Sequence, residues 1–180
     1  MKFDAIYKTV NRKVGLFLYK GIYKDKDIIN NLKNKIKDNL VKKNYNATNV
    51  KAHMTSWNLF NNDKDFEIFF RSLIPDIRNL LGPQKGVHVS NSWGNLLNKG
   101  EHCVKEHNHQ NTDLFSGVLH LSDEGPGLYF KDFDTTIKEE IGGFVLFHPY
   151  CFHEVKNFNY TKSRYSLAFN INKQWFPGTE

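Results

Sequence analysis

Two histidines one residue apart, His107 and His109, sit near the start of the stretch KEHNHQNTDLFSGVLHL, residues 105–121. In an extended chain, side chains at i and i+2 point to the same side, so these two imidazoles can converge on one point. Neutral imidazole is a common ligand for first-row transition metals, but two nitrogens do not close one face of an ion. The best third candidate is His153, in GGFVLFHPYCFHEV, which follows a strongly apolar run of the kind that forms a buried strand. Eleven residues later comes Arg164, in SRYSLAFN, where alternation places Arg164, Ser166 and Ala168 on one side of a strand. Nitrogen ligands beside a buried cation describe a site for a metal and an anionic co-substrate. The alternative for Arg164 is an ion pair with an acidic residue of a neighbouring strand. His53, His88, His102 and His148 lack such company and read as structural or exposed, and Cys103 and Cys151 as buried thiols rather than ligands.

These side chains need a scaffold, and the chain divides into two halves of different character. In the first, residues 1–85, strand-like and helix-like segments alternate. Residues 14–23 (VGLFLYKGIY) are apolar and aromatic enough for a strand, and a helix through about Lys43 carries Ile28, Ile29, Leu32, Ile36 and Leu40 at helical spacing. Residues 49–57 read as a further strand. Residues 63–82 make a second amphipathic helix with Phe66, Ile68, Phe69, Leu73, Ile77 and Leu81 on one side, Pro75 as a kink, and Gly82-Pro83 as terminator. In the second half, residues 86–172, short strands follow one another between turns such as Asp123-Glu124-Gly125-Pro126-Gly127. Such a run predicts a mainly β, α+β fold, a sandwich or jelly roll with the two helices over its larger sheet. With 180 residues and no linker or repeat, a single domain spanning 1–180 is expected.

Composition narrows the function classes. Hydrophobic residues at 39% and aromatics at 14% belong to a folded protein with a ring-rich core. The net charge of +6 is concentrated in NNLKNKIKDNLVKKNYN, which reads as a solvated helix face. No nucleic-acid motif accompanies the charge, so nucleic acid is not the expected partner. The N-terminal MKFDAIYKTV has no apolar signal-like core, no window is long enough to span a membrane, and the two cysteines form no framework. A cytoplasmic protein is expected, in the host cytoplasm if phage-encoded.

The ordered set HNH, SGVLHL, GLYF, GGFVLFHPYCFHEV and SRYSLAFN resembles the Fe(II)- and 2-oxoglutarate-dependent oxygenases, especially a prolyl-hydroxylase-like bacterial and phage branch. The resemblance covers residues 87–172. It implies a double-stranded β-helix, a cupin-like jelly roll, in which His107, His109 and His153 hold Fe(II) and Arg164 with Ser166 clamps the far carboxylate of 2-oxoglutarate. His120 falls where relatives carry a Tyr that also reaches the co-substrate, and Asn95 lines the same pocket. The implied reaction is hydroxylation of an unidentified substrate, a protein or peptide side chain or a small metabolite, using O2 and releasing succinate and CO2. His109 departs from the common pattern, which has Asp or Glu there, and an imidazole fills the space that halogenating relatives leave for halide. Two alternatives stay open: a three-histidine cupin-type dioxygenase that does not use 2-oxoglutarate, and a non-catalytic jelly-roll protein. The segments NVKAHMTSWNLFNNDKD and DFDTTIKEEIGG are the expected substrate-selecting loops.

Overall fold

A computed structural model describes residues 4–10, 15–41, 50–81, 86–98, 103–112, 114–156 and 162–173. His102 and the terminator Gly82-Pro83 lie outside them; the first helix, expected to run through about Lys43, ends at Asp38 with Asn39 as its C-cap, so Leu40 lies beyond it.

The helices form where the sequence supplies both a cap and an apolar stripe. Helix α1 (Lys26–Asp38) starts at Asp25, whose carboxylate accepts the amides of Asp27 and Ile28 at 3.1 Å each. Its buried stripe is Ile28, Ile29, Leu32 and Ile36. Helix α2 (Lys64–Leu81) starts at Asp63, which accepts the Phe66 amide at 2.9 Å and also pairs with Lys35 of α1. Phe66, Phe69, Leu73 and Ile77 are buried, each fully buried side chain contributing roughly 1.5–3 kcal/mol. Ile68, expected on that face, is 52% exposed, because at 100° per residue it lies about 200° around from Phe66. The helix continues through the exposed Pro75.

Among the described residues, twelve strands form two antiparallel sheets. They are β1 (Asp4–Val10), β2 (Gly15–Ile22), β3 (Val50–Lys51), β4 (His53–Met54), β5 (Val87–Leu97), β6 (Cys103–His107), β7 (Phe115–His120), β8 (Leu128–Phe130), β9 (Thr135–Ile137), β10 (Gly143–Phe147), β11 (His153–Val155) and β12 (Arg164–Lys173). The larger sheet runs β1-β2-β10-β7-β12-β5-β4, and the smaller runs β3-β6-β11-β8-β9. This is the jelly roll expected from the strand pattern, with strands of the N-terminal half woven into both sheets.

Two local expectations change. Residues 49–57 do not form one strand: β3 joins the smaller sheet and β4 the larger, so the chain changes sheets at Ala52. The strand β1, hidden in a segment mixing charged and apolar residues, pairs with β2 at the edge of the larger sheet.

Alternation along the larger sheet creates two cores. Its outer face, with Leu119, Phe144, Leu146, Leu167, Phe169 and Ile171, packs under the stripes of α1 and α2. Its inner face, with Leu18, Trp93, Val118, Val145, Phe147 and Ala168, packs against Val104, Leu128, Phe130 and Val155 of the smaller sheet. Gly94 permits the close approach of α1: a Cβ there would lie 2.3 Å from Cγ1 of Ile36. The helices therefore seal one side of the larger sheet, leaving the space between the sheets for polar side chains.

Candidate metal centre

His107 ends β6, and β11 pairs with it so that His153 is its direct cross-strand partner. His109 lies two residues past His107 but beyond the end of the strand, which corrects the expectation that both stand on one strand face. It is brought in by the loop, whose 109 amide donates to the Pro149 carbonyl at 2.8 Å. The three imidazoles nevertheless converge. One nitrogen from each lies within 4.8 Å of the others, and Nε2 of His109 is 3.3 Å from Nε2 of His153.

The donor set fits a first-row transition metal. Two nitrogens each about 2.1 Å from one ion are about 3.0–3.4 Å apart for angles between about 90° and 109°, and the His109–His153 spacing falls in that interval. Nδ1 of His153 lies 3.1 Å from the Cys151 carbonyl and Nδ1 of His107 lies 2.8 Å from the Lys105 carbonyl. With Nδ1–H donating in each case, the Nε2 lone pairs are left for the ion. Burial lowers the pKa of all three: His107 through burial, His109 to about 3 through burial and then the neighbouring His107, and His153 well below its usual value for the same reasons. Neutral imidazoles are the form that binds metal. The Phe147 ring, 4.7 Å from that of His153 and 6.1 Å from that of His109, gives the cluster an apolar floor.

The other predicted residues lie on the inner face of the larger sheet. Asn95, Ser166 and His120 are directly opposite one another on β5, β12 and β7, so all three point inward in a single row. Arg164 is two residues before Ser166, 2% exposed, and donates from Nη1 to Ser166 Oγ at 3.0 Å. Ser166, Asn95, Arg164 and the three histidines line one inner cavity of about 40 Å³, room for roughly three waters at about 10–15 Å³ each. His120, the third member of the row, lies on the far side of that cavity's wall, and burial with the charge of Arg164 lowers its pKa to about 3.

Unpartnered polar atoms concentrate here. Among the described residues, Trp93 Nε1, Asn95 Oδ1 and both ring nitrogens of His120 are buried and have no hydrogen-bond partner, while the Glu139 carboxylate has the Gly127 amide beside it as well as Arg164. Such atoms are rare in folded proteins, and ligands or ordered water commonly explain them. Trp93 escaped the sequence reading because a lone Trp in a strand reads as core. Glu139 escaped it because it lies in a segment read as a substrate loop, yet its carboxylate pairs with the Nε of Arg164. The ion-pair alternative for Arg164 is thus realised, by the segment following β9. Burial raises the Glu139 pKa, with the charge of Arg164 opposing.

His88 is exposed and His53 half-buried, and neither joins the cluster; His148 packs against Phe17 and Tyr150. Cys151 is a buried free thiol whose pKa is pushed up to about 12, chiefly by burial.

Two sheets with helices over the larger one and three histidines between them define a jelly-roll fold of the kind seen in 2-oxoglutarate, Fe(II) oxygenases. The chain is similar in structure to the viral collagen prolyl hydroxylase vCPH from Paramecium bursaria Chlorella virus-1, solved with 2-oxoglutarate, at 13% identity over 86% of this chain and 94% of that one, TM-score 0.69. A Pseudomonas putida prolyl-4-hydroxylase matches at 14% identity over 87% and 92%, TM-score 0.65. HygX from Streptomyces hygroscopicus, with nickel and 2-oxoglutarate bound, matches at 10% identity over 89% and 84%, TM-score 0.66. The sequence matches no protein-family model and no curated protein. Identities this low establish the shared fold, and the chemistry must be argued from the residues. No helix among the described residues is long and apolar enough to cross a membrane.

Proposed function

We propose that this protein is a non-haem Fe(II), 2-oxoglutarate-dependent dioxygenase that hydroxylates a C–H bond of its substrate, with O2 and 2-oxoglutarate consumed and succinate and CO2 released. The observation that carries the reading is the convergence of three imidazoles, His153 buried and His107 and His109 half-buried, on the inner face of this fold. His107, His109 and His153 would hold the iron. Bound iron supplies the redox chemistry, and oxidative decarboxylation of the keto acid provides two of the four electrons that reduce O2.

The chain's own residues position and exclude. The Lys105 and Cys151 carbonyls fix the ring orientation of His107 and His153, so no reorientation is needed when the metal arrives. Phe130 and Phe147 pack on His153 and keep bulk water from that side. Arg164, held in place by Ser166, offers a planar fork suited to a carboxylate at the inner end of the cavity. Asn95, Trp93 and His120 present polar atoms without partners, and ligand oxygens or bridging waters would satisfy them. With His109 in place of a carboxylate, three neutral imidazoles would leave the charge of a bound Fe(II) uncompensated, which would favour anionic co-ligands.

A protein or peptide side chain is the favoured substrate class, supported by the prolyl hydroxylases among the structural neighbours. A cytoplasmic setting suits the free thiol of Cys151. One observation favours a second reading, a three-histidine dioxygenase without 2-oxoglutarate: Arg164 is already paired with Glu139 and the cavity is small. Anaerobic loading with Fe(II) and 2-oxoglutarate, then exposure to O2 with succinate detection, separates the two. Succinate formation supports the first; metal binding with neither a visible charge-transfer band nor succinate refutes it.

A further inference from the structure

The pairing that favours the second reading also has a consequence for the first. Arg164 faces the inner cavity, whereas Glu139 and His120 belong to the wall of an outer cleft of about 1260 Å³. The Arg164–Glu139 pair therefore lies at the partition between two spaces. Both side chains are almost fully enclosed, at 2% and 1% exposure.

Glu139 fits its place closely. A Cβ on Gly125 would lie 2.5 Å from the Glu139 carboxyl carbon, so the turn before β8 can hold the carboxylate only because that residue is glycine. No regular element holds Glu139 itself, since residues 138–140 form the connection from β9 towards β10. A five-carbon diacid does not fit a cavity with room for about three waters, so its entry requires rearrangement. Two carboxylates beside one guanidinium would also repel each other. The outer cleft offers Glu139 space, and its wall carries Lys20, Lys24 and Lys138 against the carboxylates of Asp25 and Glu140, a small excess of positive charge.

Resting on the proposed function above, we propose that Glu139 is a specificity-determining residue: a resident carboxylate that competes with the distal carboxylate of a 2-oxo diacid for Arg164. It thereby sets how strongly the site prefers 2-oxoglutarate over 2-oxo acids lacking a second carboxylate. The competition is an exchange of ion-pair partners and involves no covalent step.

The test is anaerobic calorimetry on the full chain loaded with Fe(II), using 2-oxoglutarate and 2-oxopentanoate, which has the same carbon count and no distal carboxylate. Glu139→Gln removes the competing charge while keeping the shape. Affinity for 2-oxoglutarate should rise about ten- to a hundredfold, the range of a charge-assisted contact, while affinity for 2-oxopentanoate stays within about twofold. Equal shifts for both acids, or no shift for either, overturn the proposal. Should the Gln variant not fold, Glu139→Asp keeps the charge but shortens its reach by one methylene; it should move the ratio in the same direction by less, and an unmoved ratio there overturns the proposal equally. If wild type binds 2-oxoglutarate and the variant is unchanged, this inference alone fails. If neither binds it while both bind Fe(II), the assignment of 2-oxoglutarate fails and takes the inference with it.

Discussion

Replacing Arg164 by alanine tests whether the buried pair exists in solution as drawn. Because Arg164 and Glu139 are both almost fully enclosed, the discount that solvent screening imposes on surface ion pairs does not apply. Removing one partner leaves a carboxylate buried with little compensation, which typically costs about 3–5 kcal/mol. The Ser166 hydroxyl loses its donor as well. Against a total stability of about 5–15 kcal/mol, that is a large fraction, and for a chain of this size it lowers Tm by roughly 6–20 °C. Urea denaturation at neutral pH should show a lower midpoint with an unchanged slope. The double variant Arg164→Met with Glu139→Gln removes both charges and should recover most of the loss, since apolar replacement of buried pairs is often neutral or better. Arg71→Ala is a surface control: its pair with Glu67 is exposed and should be worth less than about 0.5 kcal/mol. A loss below about 1 kcal/mol for Arg164→Ala would refute the reasoning, meaning that Glu139 already spends its time in the outer cleft.

His107→Ala and His153→Ala should each abolish stoichiometric Fe(II) binding measured by metal analysis after desalting, whereas His109→Asp, which restores a carboxylate, should retain it. In the metal-free protein His120 has a folded pKa of about 3, depressed from the 6.5 of the unfolded chain, so below pH 6.5 the unfolded state binds the extra proton and stability falls as pH falls towards 3. Between pH 7 and pH 5 this amounts to about 2 kcal/mol, and His120→Asn should lose that much less over the same interval in paired urea melts; an unchanged pH dependence would mean that His120 is not buried neutral. Gly94→Ala should destabilise by about 1–3 kcal/mol through overlap with Ile36, and Ile36→Val, which keeps both overlapping γ carbons and removes only Cδ1, should relieve little of it in the double variant.

What the sequence made legible is what local periodicity and residue type encode. The stripes of α1 and α2 follow from 3.6-residue spacing, and the inward row of Arg164, Ser166 and Ala168 follows from alternation along one strand. Cross-strand partnership is not local. That His153 would lie directly opposite His107 depended on the order of the sheet: the apolar run before it marked His153 as the third candidate, but local pattern could not give its register. His109 shows the limit of the two-residue rule, which assumes that the strand continues; β6 stops at His107 and the loop supplies the convergence instead. Glu139 was invisible because nothing in TTIKEEIGG distinguishes a buried carboxylate from its exposed neighbours Lys138 and Glu140. Its burial is decided by Arg164, 25 residues away, and by the missing side chain at Gly125.

X-ray absorption of the anaerobic Fe(II)-loaded protein counts directly the imidazoles that hold the metal ion. One iron per chain with three histidine nitrogens bound to it is expected, and two in His109→Ala protein to the extent that it still takes up iron. A wild-type spectrum fitted by two imidazoles and unchanged in the His109→Ala protein would contradict this, leaving His109 beside the metal rather than bound to it.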